Sequence, residues 1–219
     1  MKKKILLIAT GGTIASALGA DGLTPQLGAD GLLRYVPEIF SFCEVDAVQP
    51  YSIDSTNVTP AHWLTLAKTI RENYEKYDGF VVCHGTDTMS YTSAMLSYLI
   101  QHSPKPIVLT GSQQPIDKED TDARINLRDS FLYASYEKAC DVVIVFQGQI
   151  IAGTRAKKIR TKSFNAFTSV DFPCLGVIRD GKIIPYITTP SCKRKQASNN
   201  SPFIPGVNVI SATFSLSLS

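Results

Sequence analysis

The stretch Val81-Val82-Cys83-His84-Gly85-Thr86-Asp87-Thr88-Met89-Ser90 restricts the fold of this chain more than any other. Residues 79–83 make a short apolar run, rich in Phe and Val, with no polar alternation. A strand with one wet face alternates and a strand covered on both faces does not, so the run predicts a buried parallel strand. It stops at His84-Gly85, and a helical pattern starts near Ser90. Two threonines and an aspartate are left at the carboxyl end of the strand, where open α/β sheets bind their ligands. Residues 4–9 repeat the design: an apolar run, then Thr10-Gly11-Gly12-Thr13-Ile14. Two glycines there allow a sharp turn and a close backbone approach, lifting Thr13 onto the same sheet edge as Thr86.

The rest of the chain extends this pattern. Residues 15–31 hold Gly19, Gly22, Gly28 and Gly31 with Pro25 and read as a mobile loop. Residues 32–42 read as a short helix and 43–49 as an alternating strand. A helix is expected from Pro60 with Thr59 as its cap, and Trp63, Leu64, Leu66, Ala67, Ile70 and Tyr74 recur at helical spacing as packing residues. Residues 90–101 and 120–136 read as further helices, the second carrying Asp122, Asn126 and Asp129 as candidates for holding a neighbouring loop. Strands are expected at 105–109, before Thr110-Gly111-Ser112-Gln113, then at 141–146 and 149–152 about Gln147-Gly148, and at 175–178 and up to Ile184 about Asp180-Gly181. The predicted class is α/β: an open, mostly parallel, doubly wound sheet of the flavodoxin or Rossmann type with helices on both faces. Residues 1–187 form that domain, 188–202 (Pro, Ser, Asn and Lys without periodicity) a linker, and 203–219 the start of a second domain.

Charge and composition exclude several classes. A net charge of +3 with scattered basic residues, apart from Lys2-Lys3-Lys4 and Lys193-Arg194-Lys195, gives no nucleic-acid footprint. No apolar stretch approaches membrane-spanning length, and the run after Lys4 is shorter than a signal-peptide core, so a cytoplasmic location is expected. The five cysteines form no Cys-x-x-Cys pair; Cys83, Cys140 and Cys174 lie in or beside apolar runs and read as buried free thiols. No glycine-rich nucleotide loop and no metal-ligand spacing occurs, so no cofactor and no metal is expected. His84 is assigned to orienting backbone.

Thr10-Gly11-Gly12-Thr13-Ile14 together with His84-Gly85-Thr86-Asp87-Thr88 resembles the bacterial-type L-asparaginase family, in its type I, cytoplasmic branch. Asp54-Ser55-Thr56-Asn57 lies between these motifs, Thr154-Arg155-Ala156-Lys157-Lys158 follows, and the resemblance runs from Met1 to about Ile178. It implies hydrolysis of L-asparagine to L-aspartate and ammonia, with Thr13, Thr86, Asp87 and Lys158 catalytic. Substrate would be held by Asp54, Ser55, Thr56, Gly85, Thr86 and Asp87. Lys158 is placed by counting back from Phe164-Asn165-Ala166-Phe167, with Lys157 its near competitor. The loop after Thr13 would close over the site, with leucine at 23 where several relatives carry tyrosine, leaving Thr24 or a water to take the Thr13 proton. The resemblance further implies a homodimer or homotetramer and a second domain that this chain only begins.

Hydrolysing an unactivated amide needs a nucleophile, a route for its proton and donors for the oxyanion. Thr86, Asp87 and Lys158 can form a relay in which the lysine takes the threonine proton and the aspartate orients it. Thr13 attacking carbon while Thr86 positions a water is the other order. Ser55 would meet the substrate α-carboxylate and Asp87 its α-ammonium, with backbone N–H groups near Gly12 and at Thr86-Asp87 as oxyanion donors. Two other readings stay open: an amino-acid-binding module without turnover, and the asparaginase-like subunit of a glutamyl-tRNA amidotransferase.

Overall fold

Apolar residues from Ile5 to Ala9, none more than 1% exposed, place the first strand in the middle of the protein. In the computed structural model, which describes residues 1–19, 22–25 and 27–187 (backbone alone over 17–19 and 22–25), it is β1, Lys3–Ala9. Two short strands follow, β2 (Ser16–Gly19) and β3 (Gly22–Pro25), then α1 (Ala29–Leu33) and β4 (Cys43–Val48). Next come α2 (Pro60–Asn73), β5 (Gly79–Cys83), α3 (Met89–Leu99), β6 (Ile107–Thr110) and α4 (Ala123–Ala134). The chain continues through β7 (Val142–Phe146), β8 (Gln149–Ala152), β9 (Ala156–Lys158) and β10 (Phe167–Ser169) to β11 (Gly176–Arg179) and β12 (Lys182–Pro185).

The main sheet has eight strands in the order β12-β11-β8-β7-β6-β5-β1-β4. Strands β4, β1, β5, β6 and β7 are parallel, whereas β8, β11 and β12 are added antiparallel at one side. The register Ala9↔Cys83 brings the β1 and β5 ends level, so the segments that leave them emerge side by side.

Alternation of side chains along β1 feeds two cores. Ile5, Leu7 and Ala9 pack with Leu32 of α1 and Leu127 and Phe131 of α4; Leu6 and Ile8 pack on the other face with Leu66 and Ile70 of α2 and Leu96 of α3. Helices therefore cover both faces, which is why β1, β5, β6 and β7 read as continuous apolar runs while the edge strand β4 alternates. Each fully buried Leu, Ile or Phe contributes about 1.5–3 kcal/mol relative to exposure.

Three expectations about elements and packing are corrected. Residues 16–19 and 22–25 pair as two short antiparallel strands, from Ser16↔Pro25 to Gly19↔Gly22, within the stretch read as a mobile loop. Strands of four residues flanked by glycine are too short to show a period of two. The helix expected over 32–42 is split into α1 and a 3-10 turn at Pro37–Ser41, because Pro37 has no N–H and holds Val36 at φ −134, ψ 52. Leu64 on α2 is exposed rather than packed.

Pro60 does open α2, with the Thr59 N–H donating to His62 Nδ1 at 3.1 Å. Cys43, Cys83 and Cys174 are free, while Cys140 is disulfide-bonded against the expectation of a free thiol. Among the described residues no helix is long and apolar enough to cross a membrane. The expected linker at 188–202 and the start of a second domain at 203–219 lie outside the described residues.

Candidate active site

Four segments converge at the carboxyl ends of β1, β5 and β6, and glycines set how closely they meet. Gly12 (φ +81) lies so near the next loop that an added Cβ would sit 2.4 Å from the Gly85 nitrogen. A Cβ on Gly85 would meet Ser55 Oγ at 2.5 Å, and one on Gly111 would meet the His84 carbonyl oxygen at 2.3 Å. No side chain fits any of these gaps. The residues that follow Gly12 and Gly85 in their loops, Thr13 and Thr86, are thereby held on adjoining turns.

The turns are pinned by backbone and hydroxyl hydrogen bonds. Thr10 donates to the Cys83 carbonyl from its N–H (3.0 Å) and its hydroxyl (2.8 Å). Ser16 Oγ donates to the Gly12 carbonyl (2.9 Å), closing the 3-10 turn Thr13–Ala15. The Gly12 N–H donates to the Ile53 carbonyl at 3.2 Å. That amide, expected among the oxyanion donors, is therefore committed to the scaffold.

Thr86, 6% exposed, receives a hydrogen bond from Lys158 Nζ at 2.8 Å. The same ammonium donates to Asp87 Oδ1 at 2.7 Å. Lys158 reaches the pair from β9, whose pairing Phe167↔Lys158 with β10 fixes which way its side chain faces, while its neighbour Lys157 is exposed. Asp87 is half-exposed and Lys158 is only 14% exposed. The cluster thus presents a hydroxyl, a carboxylate and a shielded amine within hydrogen-bond reach of one another, at the N-terminal end of α3, where helix N–H groups favour developing negative charge.

Asp54-Ser55-Thr56 divides in two. Ser55 is buried against Gly85, and its carbonyl accepts from Thr88 Oγ1 at 2.7 Å. Asp54 and Thr56 are exposed and serve each other: Asp54 Oδ1 accepts from the Thr56 N–H (2.8 Å) and hydroxyl (2.7 Å), capping the 3-10 turn Ser55–Asn57. Side chains at 23 and 24 lie outside the description, so the Thr24 alternative does too.

His84 is 1% exposed. Its Nδ1 lies 2.7 Å from the Gly85 carbonyl oxygen and its Nε2 3.0 Å from Thr92 Oγ1. A carbonyl only accepts, so Nδ1 carries the proton and Nε2 accepts from the Thr92 hydroxyl, whose oxygen in turn accepts from Trp63 Nε1 at 2.9 Å. Burial lowers the His84 pKa, keeping the ring neutral and holding the Gly85 loop. Burial pushes the Cys83 thiol up to about 12, which removes it as a nucleophile.

One participant was given no role by the sequence. Gln113, after β6, accepts from Thr86 Oγ1 through Oε1 (3.2 Å) and donates from Nε2 to the Ser163 carbonyl (3.2 Å). Its backbone N–H is held by both oxygens of Asp122 at 3.0 Å. Asn126 donates to the Gly111 carbonyl at 3.0 Å, so the expected loop-holding role of Asp122 and Asn126 is what their contacts perform. Asp129 instead pairs with Arg128 at 2.9 Å.

A cavity of about 660 Å³ opens beside the cluster, lined among others by Asp87, Tyr91, Arg155, Lys157, Lys158 and Arg160. Its cations favour an anionic group. Thr13, Ser55 and Thr86 lie outside its lining, so the cavity adjoins the threonines without containing them. Among the described residues no group of three or more His, Cys, Asp or Glu is arranged to hold a metal ion.

Comparison with known proteins gives a consistent result. The family model "Asparaginase, N-terminal" matches residues 4–190. L-asparaginase of Thermococcus kodakarensis is 35% identical over 182 residues, 83% of this chain and 55% of that protein. A glutamyl-tRNA(Gln) amidotransferase subunit from Methanosphaera stadtmanae is 36% identical over 192 residues, 83% of this chain and 43% of that one. The crystal structure of a probable cytoplasmic L-asparaginase from Campylobacter jejuni superposes with a TM-score of 0.79 at 32% identity, covering 86% of this chain and 58% of that chain. The chain spans about half the length of the relatives it matches.

Proposed function

The chain belongs to the asparaginase family, and from that premise we propose that it is an amidohydrolase that converts L-asparagine to L-aspartate and ammonia. One observation carries the reading: Lys158 Nζ stands 2.8 Å from the Thr86 hydroxyl and 2.7 Å from Asp87, on the loop packed against Gly12 and hence beside Thr13. A buried hydroxyl touching a shielded amine is suited to proton transfer, and a scaffold role would not require the amine.

In the proposed sequence Thr13 attacks the side-chain amide carbon, and its proton passes to the departing ammonia. In the second step Asp87 orients Lys158 and Thr86 positions the water that cleaves the resulting ester: the water proton passes to Thr86 Oγ1 as the Thr86 proton passes to Lys158 Nζ acting as an amine, and the lysine returns it to the Thr13 oxygen, regenerating that hydroxyl. The amides of Thr86 and Asp87, at the start of the segment leading into α3, stabilise the oxyanion in both steps. Ser55 receives the substrate α-carboxylate and half-exposed Asp87 its α-ammonium. Asp54, Thr56 and Gly85 shape the pocket behind them. The reading carries with it a cytoplasmic enzyme that works as a homo-oligomer, without cofactor.

The test is ammonia release from asparagine and glutamine by purified protein, alongside Thr86→Val, Lys158→Met and Lys157→Met. Asparagine is expected to be preferred. Thr86→Val and Lys158→Met should each lower kcat by about a hundredfold or more, with Lys157→Met near wild type. Folded wild-type protein without amidase activity defeats the proposal, and a larger loss at Lys157 than at Lys158 defeats the assigned lysine.

A further inference from the structure

A threonine hydroxyl has one proton to give, and the geometry around Thr86 shows where it goes. Lys158 Nζ donates to Asp87 Oδ1 and into a lone pair of Thr86 Oγ1. The Thr86 proton must then point elsewhere, and Gln113 Oε1 accepts it at 3.2 Å. An amide oxygen has no useful basicity, so Gln113 orients the hydroxyl and takes no proton from it.

The other end of the same carboxamide donates to the Ser163 carbonyl at 3.2 Å, in the connection between β9, which carries Lys158, and β10. Gln113 therefore ties together the two loops that bring hydroxyl and amine into contact. Its own backbone cannot drift, because its N–H and that of Gln114 are bound by Asp122, which is 2% exposed. Asn126 Nδ2 also donates to Asp122, at 3.1 Å. The chain of support runs from the first turn of α4 through Asp122 to Gln113 and on to Thr86.

We infer that Gln113 is a positioning residue for the Thr86–Lys158 pair: it holds Thr86 Oγ1 against Lys158 and keeps the β9–β10 connection at the distance that proton transfer requires. This rests on the amidohydrolase reading. Positioning of this kind acts on the chemical step more than on substrate binding, so it separates kcat from KM.

Two substitutions in the full chain test the inference. Gln113→Met keeps the side-chain length and removes both polar ends. Gln113→Glu keeps an acceptor toward Thr86 and removes the donor toward Ser163. Gln113→Met is expected to lower kcat for asparagine about tenfold, with KM within about twofold and an unchanged melting temperature. Gln113→Glu, which keeps only the contact to Thr86, is expected to recover part of the loss. Native kcat in Gln113→Met overturns the inference, as does an equal loss in both variants.

A second arm does not depend on turnover. Crystal structures of wild type and Gln113→Met are expected to differ in the Thr86 Oγ1–Lys158 Nζ separation, which is 2.8 Å here. The same separation in both overturns the inference. Folded wild type that hydrolyses no amide defeats the amidohydrolase reading alone, and the structural arm still decides the role of Gln113. Should Gln113→Met fail to fold, Gln113→Leu takes its place in both arms.

Discussion

Replacing Thr92 by valine removes one hydroxyl from a buried relay at nearly constant volume. Thr92 is fully buried and is the link between Trp63 and His84. The substitution leaves His84 Nε2 with no donor in a site 1% exposed to solvent. An orphaned buried acceptor costs about 1–3 kcal/mol. Trp63 Nε1 also loses its acceptor, but the indole is only half-buried and water can replace the hydroxyl, so its share is small. Valine tolerates a helical position nearly as well as threonine, which leaves about 2 kcal/mol as the expected loss. With a urea dependence of roughly 2 kcal/mol per molar, the unfolding midpoint should fall by about 1 M. Trp63 is the chain's single tryptophan, so its emission reports both the equilibrium and the local contact. A shift in midpoint below about 0.25 M would refute the relay as a structural element.

The remaining predictions concern pH and backbone. Burial holds the His84 pKa below its ordinary value of 6.5, so as pH falls through that value the unfolded chain takes up a proton that the folded chain refuses. Stability should therefore fall with pH below about 6.5, with a limiting slope near 1.4 kcal/mol per pH unit. Burial raises Asp122 and Asp129, which pull the other way, so the informative quantity is the difference between wild type and His84→Gln across pH 4–7. A pH-independent difference would mean that His84 is not held neutral. Gly181→Ala and Gly12→Ala separate two effects of positive φ: Gly181 (φ +69) faces open space, whereas a Cβ on Gly12 (φ +81) strikes the Gly85 backbone. The first should cost about 1 kcal/mol and the second several times more, and equal costs in urea denaturation would contradict the close approach of the two loops.

Much of the frame was legible because burial on both faces leaves a plain mark in sequence. Residues 79–83 and 141–146 can be read as strands from composition alone, and Pro60 with Thr59 announces the start of α2. The split at Pro37 was also readable in principle, since proline restricts the residue before it. The strand pair at 16–19 and 22–25 was not, because its strands are too short for a period to show. The threonines announced themselves by their place after a strand and beside glycine. Gln113 did not, since its partners Thr86 and Ser163 lie 27 and 50 residues away and only the finished fold joins them. Nor did Thr92, whose exchange with His84 looks in sequence like one more polar residue on a helix. Basic residues at 155–162 resemble a solvated face, and only the pairing of β9 with β10 turns one lysine inward while its neighbour points out.

The order of strands has a consequence for how the protein comes into being. β1 precedes both of its neighbours in the chain but lies between them, and the hydrogen bond from the Lys4 N–H to Asp78 at the head of β5 spans 74 residues. A ribosome adding about 5–20 residues per second keeps β1 waiting roughly 4–15 s for that partner. During this interval the nascent chain offers Ile5-Leu6-Leu7-Ile8, later among its most deeply buried residues, with the strand edge that β5 will cover open to any passing β segment. Chaperone capture early in synthesis is the corresponding demand, and translation pauses before Gly79 would lengthen the exposure. Slow codons before residue 79 should accordingly lower the soluble yield more than the same codons after Phe146.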